Sequence, residues 1–163
     1  MSDDRWPDPL QDALRAHGCV IADHYLFDRP GSLYIGPRFR IRDCELIYRR
    51  PEPGLLLIVL YRRLAEKTGT LGNPFTDLVW FLRLCTRPEF DLNHIMGYVS
   101  TYGYRHERGL SDQRLVQFYH RFFDAEWADY DGNRWLCKSV ESLKIRLEQL
   151  RSKDAQWPES GGL

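Results

Sequence analysis

This chain has little that would draw it to a membrane or to nucleic acid. Its 23 basic and 23 acidic residues give a formal net charge of +0, so no overall field favours an anionic partner. The longest apolar run, Leu55 to Tyr61, is much shorter than the roughly 20 residues that a membrane-spanning helix needs. Met1 to Pro7 contain neither a basic start nor an apolar stretch, which predicts no signal peptide. We therefore expect a cytoplasmic protein with no membrane partner.

The sequence also lacks the motifs of the common enzyme classes. It contains no phosphate-binding glycine loop followed by lysine, no nucleophile elbow and no metal-binding helix. Cys85 and His120 would act as a nucleophile and its base only if the fold joined them. The conceivable metal ligands are Asp91 and His94, with His106 or His120 as the third. Their spacing matches no helical His-x-x-x-His pair, so we predict no catalytic residue, no metal site and no cofactor.

Cysteines are few and far apart. The four residues are Cys19, Cys44, Cys85 and Cys137. They show none of the close pairs that a zinc site uses, which favours reduced thiols buried in a core. A disulfide framework or a metal site remains the alternative.

What the chain does have is the composition of a folded domain. Apolar residues make up 43% and charged residues 28% of the 163 residues, as is typical of globular proteins. A chain of this length most simply forms a single core. We predict one domain spanning residues 1–163, with frayed ends at 1–7 and 153–163.

Two predicted helix starts share the same capping pattern. Asp8 and Asn73 are expected N-caps, and each precedes a proline at the first helical position, where the missing N–H costs nothing. Apolar residues then recur at three- and four-residue steps, so each helix has one apolar face. The first helix should end at Gly18 and the second before Pro88. The two faces comprise Leu10, Ala13 and Leu14, and Phe75, Leu78, Val79, Leu82 and Cys85.

Between these helices the sequence predicts a meander of strands. Apolar and basic residues alternate at Arg38–Arg42, which places Phe39 and Ile41 inward in an antiparallel sheet. A turn at Pro51–Gly54 precedes a strand that should be covered on both faces. The predicted strands are Cys19–Phe27, Leu33–Ile35, Arg38–Arg42, Leu55–Tyr61 and His94–Ser100, with Leu46–Tyr48 either continuing the third or starting another after a bulge near Asp43.

The C-terminal half predicts two more helices. Ser111 is an expected N-cap, with Leu110 and Leu115 placed for a hydrophobic staple, and a turn should lie at Asp129–Asn133. The predicted fold class is α+β, an antiparallel β-meander packed against helices on one side. The apolar residues of the two helices are Leu115, Phe118, Tyr119, Phe122 and Phe123, and Val140, Leu143, Leu147 and Leu150.

An arginine row supports an alternative function. Arg38, Arg40 and Arg42 would share one sheet face, in the same region as Tyr34 and Tyr48. Aromatic residues on a basic sheet can stack bases, so a nucleic-acid-binding regulator is the second hypothesis. Against it, the aromatic and glycine pattern of RNA-binding sheets is missing, and outward arginines commonly serve to keep a sheet soluble.

Aromatic residues are concentrated late in the chain. One helix face cannot hide them all, and aromatic residues anchor protein interfaces out of proportion to their number. A purely aromatic core is the competing interpretation. The residues concerned are Tyr98, Tyr102, Tyr104, Phe118, Tyr119, Phe122, Phe123, Trp127, Tyr130 and Trp135.

Two motifs resemble the LcrR-type proteins of bacterial type III secretion operons. They are Asn-Pro-Phe-x-x-Leu at Asn73–Leu78 and Arg-Leu-x-x-Phe-Tyr-x-Arg at Arg114–Arg121, preceded by an apolar strand and the pair Arg62–Arg63. The resemblance extends over residues 10–145. That family is small, cytosolic, non-enzymatic and needed for proper secretion, as a regulator or export chaperone. The helix–meander–helix order is also similar to that of the small dimeric chaperones of the same systems.

The resemblance implies an accessory protein that binds an export substrate or a component of the secretion apparatus. A partner helix would lie in a groove, or an extended segment would add to a sheet edge. A homodimer is an open alternative. The predicted partner contacts are Tyr102, Tyr104, Tyr119, Phe123 and Trp127, together with the outward face of the final helix.

Overall fold

The computed structural model describes residues 8–26, 31–42, 44–63, 75–98 and 116–152. The helices in these ranges are α1 (Pro9–Ala16), α2 (Thr76–Cys85) and α3 (Val140–Ser152), with a 3₁₀ turn at Pro88–Phe90 and a π-helical turn at Phe118–Phe122. The strands are β1 (Ile21–Tyr25), β2 (Tyr34–Ile41), β3 (Cys44–Glu52), β4 (Leu55–Arg63), β5 (His94–Tyr98), β6 (Glu126–Tyr130) and β7 (Asn133–Ser139).

Local signals set both ends of α1. The Asp8 carboxylate accepts a hydrogen bond from the backbone N–H of Leu10 at 3.2 Å, and Pro9 occupies the first helical position. Leu10 and Leu14 are fully buried, and Gly18 follows the helix with φ of 89°. The predicted cap, apolar face and end of this helix are confirmed.

The second helix, α2, lies deep in the protein. Its five predicted apolar residues are at most 7% exposed, and Phe81 and Leu84 on the flanks are buried as well. The helix ends at Cys85, before Pro88, as predicted. The expected cap at Asn73 and the proline at position 74 lie outside the described residues.

The described strands form one sheet in the order β1-β2-β3-β4-β5-β7-β6. The first four make an antiparallel meander, which confirms the predicted α+β class. β5 pairs in parallel with β4, because the chain between them crosses over through α2. The β6–β7 hairpin then extends the sheet beyond β5, so β1 and β6 are its two edge strands.

One extra residue in β4 keeps its apolar side chains in phase with the core. Ile47 pairs with Leu60 and Tyr48 pairs with Ile58, so Val59 has no partner on β3. This β-bulge allows Ile58 and Tyr61, three positions apart, to face the same side, where they are 2% and 5% exposed.

The helices cover one face of the sheet, as predicted. The main core lies between them and this face, and α3 contributes Leu143, Leu147 and Leu150 at the predicted spacing. The sheet residues of this core are Phe39, Cys44, Leu46, Tyr48, Leu56, Ile58, Tyr61, Ile95 and Leu136. The strand β4 is covered on both faces, because Leu55 and Leu57 on its other side are also buried.

The opposite face curls around a second, smaller core. Leu55, Leu57 and Trp135 form it, and the Trp135 indole N–H donates to the carbonyl of Tyr130 at 3.1 Å. The Tyr130 hydroxyl donates to the Glu52 carboxylate at 3.2 Å. These two residues lie on β6 and β3, which would be about 19 Å apart in a flat sheet with three strands between them. The contact therefore shows a strongly curled sheet.

Two strand predictions are corrected. The segments predicted as two strands, Leu33–Ile35 and Arg38–Arg42, lie largely in one continuous strand, β2 (Tyr34–Ile41). Leu46–Tyr48 belong to a separate strand, β3, which follows a turn at Arg42 with φ of 52°. The hairpin of β6 and β7 was predicted only as a turn. Asp131 and Gly132, both with positive φ, form that turn, and such turns match the twist of a hairpin.

The third predicted helix is described only from Val116 onward. Its expected cap at Ser111 and its staple residues Leu110 and Leu115 lie outside the described residues. The described part contains the π-helical turn at Phe118–Phe122, a type of turn that commonly marks a local departure from regular α-helix.

Candidate partner-binding surface

The predicted contact residues occupy different environments. Tyr102 and Tyr104 lie outside the described residues. Tyr119 and Phe123 are only 5% and 1% exposed, so they belong to the core and not to the surface. Trp127 is partly exposed. The prediction that Tyr119 and Phe123 are exposed is therefore wrong. Trp127 is partly exposed, as a residue that contacts a partner must be.

Close packing of the π-helical turn on β5 explains the burial of Tyr119. A Cβ atom at Gly97 would come within 2.6 Å of Cζ of the Tyr119 ring, so this approach requires glycine on the strand. Phe118 stacks on Phe75 with ring centroids 4.1 Å apart and meets Phe123 edge-on at 5.0 Å. Burial also raises the pKa of the Tyr119 hydroxyl. This part of the aromatic segment is core.

Trp127 lies on the edge strand β6, with its ring on the helix-covered side. It pairs with Leu136 and packs partly on the main core. The His120 ring meets the indole edge-on at 5.8 Å, and the Arg134 guanidinium lies 4.8 Å from the indole centroid, in cation–π geometry. These neighbours fix the orientation of a partly exposed indole, and a side chain that is already ordered loses little entropy on binding.

A groove of about 320 Å³ runs along the outward face of α3. Three elements supply its walls: the end of the π-helical turn, the end of β7 and the helix α3. Its lining residues are Arg121, Asp124, Lys138, Ser142, Ile145, Arg146 and Gln149. The outward face of the final helix, which the sequence predicted as part of the binding surface, therefore borders a real concavity.

No motif in the sequence points directly to this groove. Arg121 is the last residue of the second family-like motif, but Lys138 and Arg146 come from other elements and follow no motif. Only the pairing of β7 with β5 and the packing of α3 bring these cationic residues to one place.

The arginine row on the sheet is not the open surface that its alternation suggested. Arg38 and Arg62 both approach the buried carboxylate of Glu45, at 3.9 Å and 2.7 Å. Arg42 lies in the turn after β2 and forms an ion pair with Asp77 of α2. The expectation that Arg38, Arg40 and Arg42 form one solvent-facing row is therefore wrong for Arg42, and the charge of Arg38 is partly neutralised.

Exposed apolar residues mark the other edge of the sheet. Val20 precedes β1, and Leu26 and Leu33 flank the connection between β1 and β2, with exposed fractions of 84%, 51% and 60%. The backbone N–H of Leu26 donates to the carbonyl of Leu33 at 2.8 Å, which holds the two residues together. This edge also carries two tyrosines, Tyr25 and Tyr34, whose rings meet edge-on at 5.5 Å.

The chemistry of the cysteines is that of structural thiols. All four are free, Cys44 and Cys85 are buried, and Cys19 and Cys137 are partly exposed. Burial raises the pKa of the Cys85 thiol, which opposes formation of the thiolate that a nucleophile needs. Within the described residues, no group of three or more His, Cys, Asp or Glu side chains is placed to hold a metal ion.

A comparison with known protein families identifies the family of this chain. The model of the family described as type III secretion system regulator (LcrR) matches residues 7–155, so this chain belongs to that family. None of the curated proteins compared with the chain matches it. No helix in the described part of the chain combines the length and the apolar character needed to cross a bilayer.

Proposed function

We propose that this member of the LcrR family is a non-enzymatic, cytosolic accessory protein that binds an export substrate or a component of the secretion apparatus. It would act as a chaperone or regulator by capture of a protein segment. Family membership supports the role in type III secretion. The surface around Trp127 supports capture by contact with another polypeptide.

A partly exposed, pre-oriented indole on an edge strand is the observation that carries this proposal. Trp127 is fixed by His120 and Arg134, and tryptophan is among the residues most enriched in interface hot spots. An edge strand such as β6 also has one side of its backbone unpaired within the sheet, where an extended segment can add by main-chain hydrogen bonds.

Neighbouring features enlarge this surface. The groove beside α3 lies next to Trp127, because Arg121 follows His120 in the chain and Lys138 is two residues from Leu136, the partner of Trp127. A stable complex buries about 1,200 Å² or more, so the partner must cover more than the five residues of β6. Tyr102 and Tyr104 remain proposed contacts, and a second copy of the chain is the competing occupant.

The test is co-purification from a bacterium that carries the secretion operon. The tagged wild-type chain should retain a type III secretion protein, identified by mass spectrometry, and Trp127→Ala should lose most of it. Secretion of export substrates into the medium, in a deletion strain complemented with each variant, gives the functional readout.

Trp80→Ala is a matched control. Trp80 is also a partly buried indole packed on the main core, and His17 meets it edge-on at 5.2 Å, but it lies on α2 and not on a sheet edge. Circular dichroism and thermal unfolding establish that both variants fold. The proposal fails if both variants keep the partner equally, or if the purified chain binds only itself.

A further inference from the structure

The groove along α3 collects positive charge from three separate elements. Arg121 comes from the π-helical turn, Lys138 from the end of β7 and Arg146 from α3, while Asp124 is the one carboxylate among the described residues of its lining. Residues so far apart in the chain are brought together by the tertiary fold alone. The net charge of the lining is therefore positive on a chain whose overall charge is +0.

The charges in the groove are also less compensated than those elsewhere in the fold. Neither Arg121 nor Lys138 forms an ion pair with any residue in the described ranges, whereas Glu45 draws both Arg38 and Arg62. Arg146 donates to the side-chain oxygen of Gln149 at 3.4 Å, a contact along the helix. A cavity lined by Arg121 and Lys138 in this state attracts an anionic group.

We propose that this groove binds the carboxylate side chains of an acidic segment in the partner protein. The proposal rests on the function proposed above and names the chemistry of what is captured. Arg121 and Arg146 would each hold a carboxylate through paired N–H donors, and Lys138 would add a point charge between two walls of the groove. The apolar side of the segment would meet Ile145, which borders the groove and is 54% exposed.

The shape and surroundings of the groove favour an acidic peptide over nucleic acid. A volume of about 320 Å³ accommodates a few side chains, whereas a nucleic-acid backbone needs a basic stripe that follows successive phosphates. Ile145 and the nearby Trp127 also provide apolar contacts that a phosphate backbone does not use. A segment with alternating acidic and apolar residues matches both features.

The experiment measures binding of a defined probe to the full chain. A synthetic peptide in which Glu alternates with Leu is titrated into the ¹⁵N-labelled protein, and amide shifts of residues 138–149 are followed by NMR. The same peptide with Gln in place of Glu is the neutral control, and inorganic phosphate and a single-stranded oligonucleotide are titrated separately. We expect saturable shifts with the Glu peptide only, weaker at high salt because ions screen the contact.

Charge reversal locates the site. Lys138→Glu and Arg121→Glu should each lower the affinity for the Glu peptide by roughly tenfold, which corresponds to the loss of one favourable charge contact. Lys144→Glu is the matched control, because this exposed residue of α3 makes the same change in net charge outside the groove lining. Its affinity for the peptide should stay close to that of the wild type.

Several outcomes would overturn the inference. They are equal binding of the Glu and Gln peptides, no shifts with either, equal weakening by Lys144→Glu, and tighter binding of phosphate or oligonucleotide than of the Glu peptide. Binding of the secretion partner to the variants distinguishes failure of this inference from failure of the proposed function. A complex that depends on Trp127 but keeps its affinity with Lys138→Glu retains the function and rejects the acidic segment.

Discussion

The two ends of the sheet treat charge differently. Near β1–β4, each of three sequestered carboxylates has a cationic partner, whereas at the β6–β7 end Arg121 and Lys138 have no ion pair with any described residue. The pairs at the first end are Asp8–Arg50 at 3.2 Å, Glu45–Arg62 at 2.7 Å and Asp77–Arg42. At the second end Asp129 approaches Arg134 at 4.0 Å, and both side chains are largely exposed. Charge at the first end therefore serves the fold, whereas the charges of Arg121 and Lys138 at the second end are available to a partner.

This difference teaches that the density of basic residues along the chain is a poor guide to a binding site. The densest alternation of arginines lies in β2, beside the buried Glu45. The Glu45 carboxylate approaches Arg38 of this strand and Arg62 of β4. The groove is built from three single residues on three elements. A row of charges that the fold neutralises adds little attraction, since an opposite charge nearby cancels most of its field.

The largest effect should come from Asp8, which links α1 to β3 through three contacts at the first end. Its carboxylate caps α1, accepts the Tyr48 hydroxyl at 2.7 Å and pairs with Arg50 at 3.2 Å. Asp8→Ala should lower the free energy of unfolding by about 3–5 kcal/mol, because it leaves Arg50 buried without its partner. Urea unfolding measures this loss.

Asp12→Ala is the control on the same helix. Asp12 is exposed and pairs with Arg15 at 3.6 Å on the surface, so its removal should change stability by less than about 0.5 kcal/mol. Equal effects of the two substitutions would contradict the structural role of Asp8.

Glu45 and Asp124 test the comparison directly. Glu45→Ala should cost about 2–3 kcal/mol, since it removes a buried carboxylate from Arg38 and Arg62, whose partial exposure limits the loss. Asp124→Asn, in the groove, should change the free energy of unfolding by less than about 0.5 kcal/mol, because asparagine tolerates the left-handed backbone of this residue, at φ of 55°. Urea unfolding of both variants at one pH makes the measurement, and a stability loss at Asp124 as large as that at Glu45 would erase the distinction.

Alkaline pH should weaken the core beneath the first end. Burial raises the pKa of the Cys85 thiol above its ordinary 9.0, and burial together with the Asp8 carboxylate raises the pKa of the Tyr48 hydroxyl above its ordinary 10.0. The folded protein therefore keeps protons that the unfolded chain releases. Below about pH 9 these groups do not lower the free energy of unfolding. At higher pH the free energy of unfolding should fall by about 1.4 kcal/mol per pH unit for each group that is ionised in the unfolded chain only.

Urea unfolding at pH values on either side of this range checks the slope. Cys85→Ala should reduce the loss that begins near the ordinary thiol pKa of 9.0, and Tyr48→Phe should reduce the loss that begins near 10.0. Burial also raises the pKa of Cys19, Cys137, Tyr61 and Tyr119, so part of each loss should remain. A slope that neither substitution changes would assign the alkaline sensitivity to other groups.

The smallest effect concerns Asp124, the one acid in the groove lining. Asp124→Asn should tighten binding of the Glu–Leu peptide by about threefold, because it removes a like charge from an exposed site. NMR titration measures the affinity, and Glu141→Gln, at an exposed acid in the first turn of α3 outside the lining, is the control. Tightening by Glu141→Gln of the same size would show a general charge effect.

Elements with strong local signals were predictable from the sequence. Asp8, Pro9 and Gly18 set the ends of α1, and the three-four-three spacing from Val140 set the buried face of α3. These predictions succeed because capping and helical periodicity depend on neighbours only a few residues away. The meander of β2, β3 and β4 followed for the same reason, from alternation and the turn at Pro51–Gly54.

The missed hairpin shows where sequence reasoning reached its limit. Strand β6 is short and rich in acids, so it carries no apolar alternation that would predict a strand. The signal that could have found it is the Asp131–Gly132 pair, whose positive φ values suit a tight hairpin turn. Without that hairpin the sequence could not place Trp127 on a sheet edge.

The sequence by itself determined the helices, the central strands, the absence of a net charge and the motifs that identify the family. Only the tertiary structure decided which aromatic rings are buried and which cations stand without an opposite charge. Gly97 lets Tyr119 into the core, and Glu45 partly neutralises Arg38 of β2, through contacts between residues that lie apart in the chain. Burial and charge compensation depend on what lies across the fold, which no local pattern records.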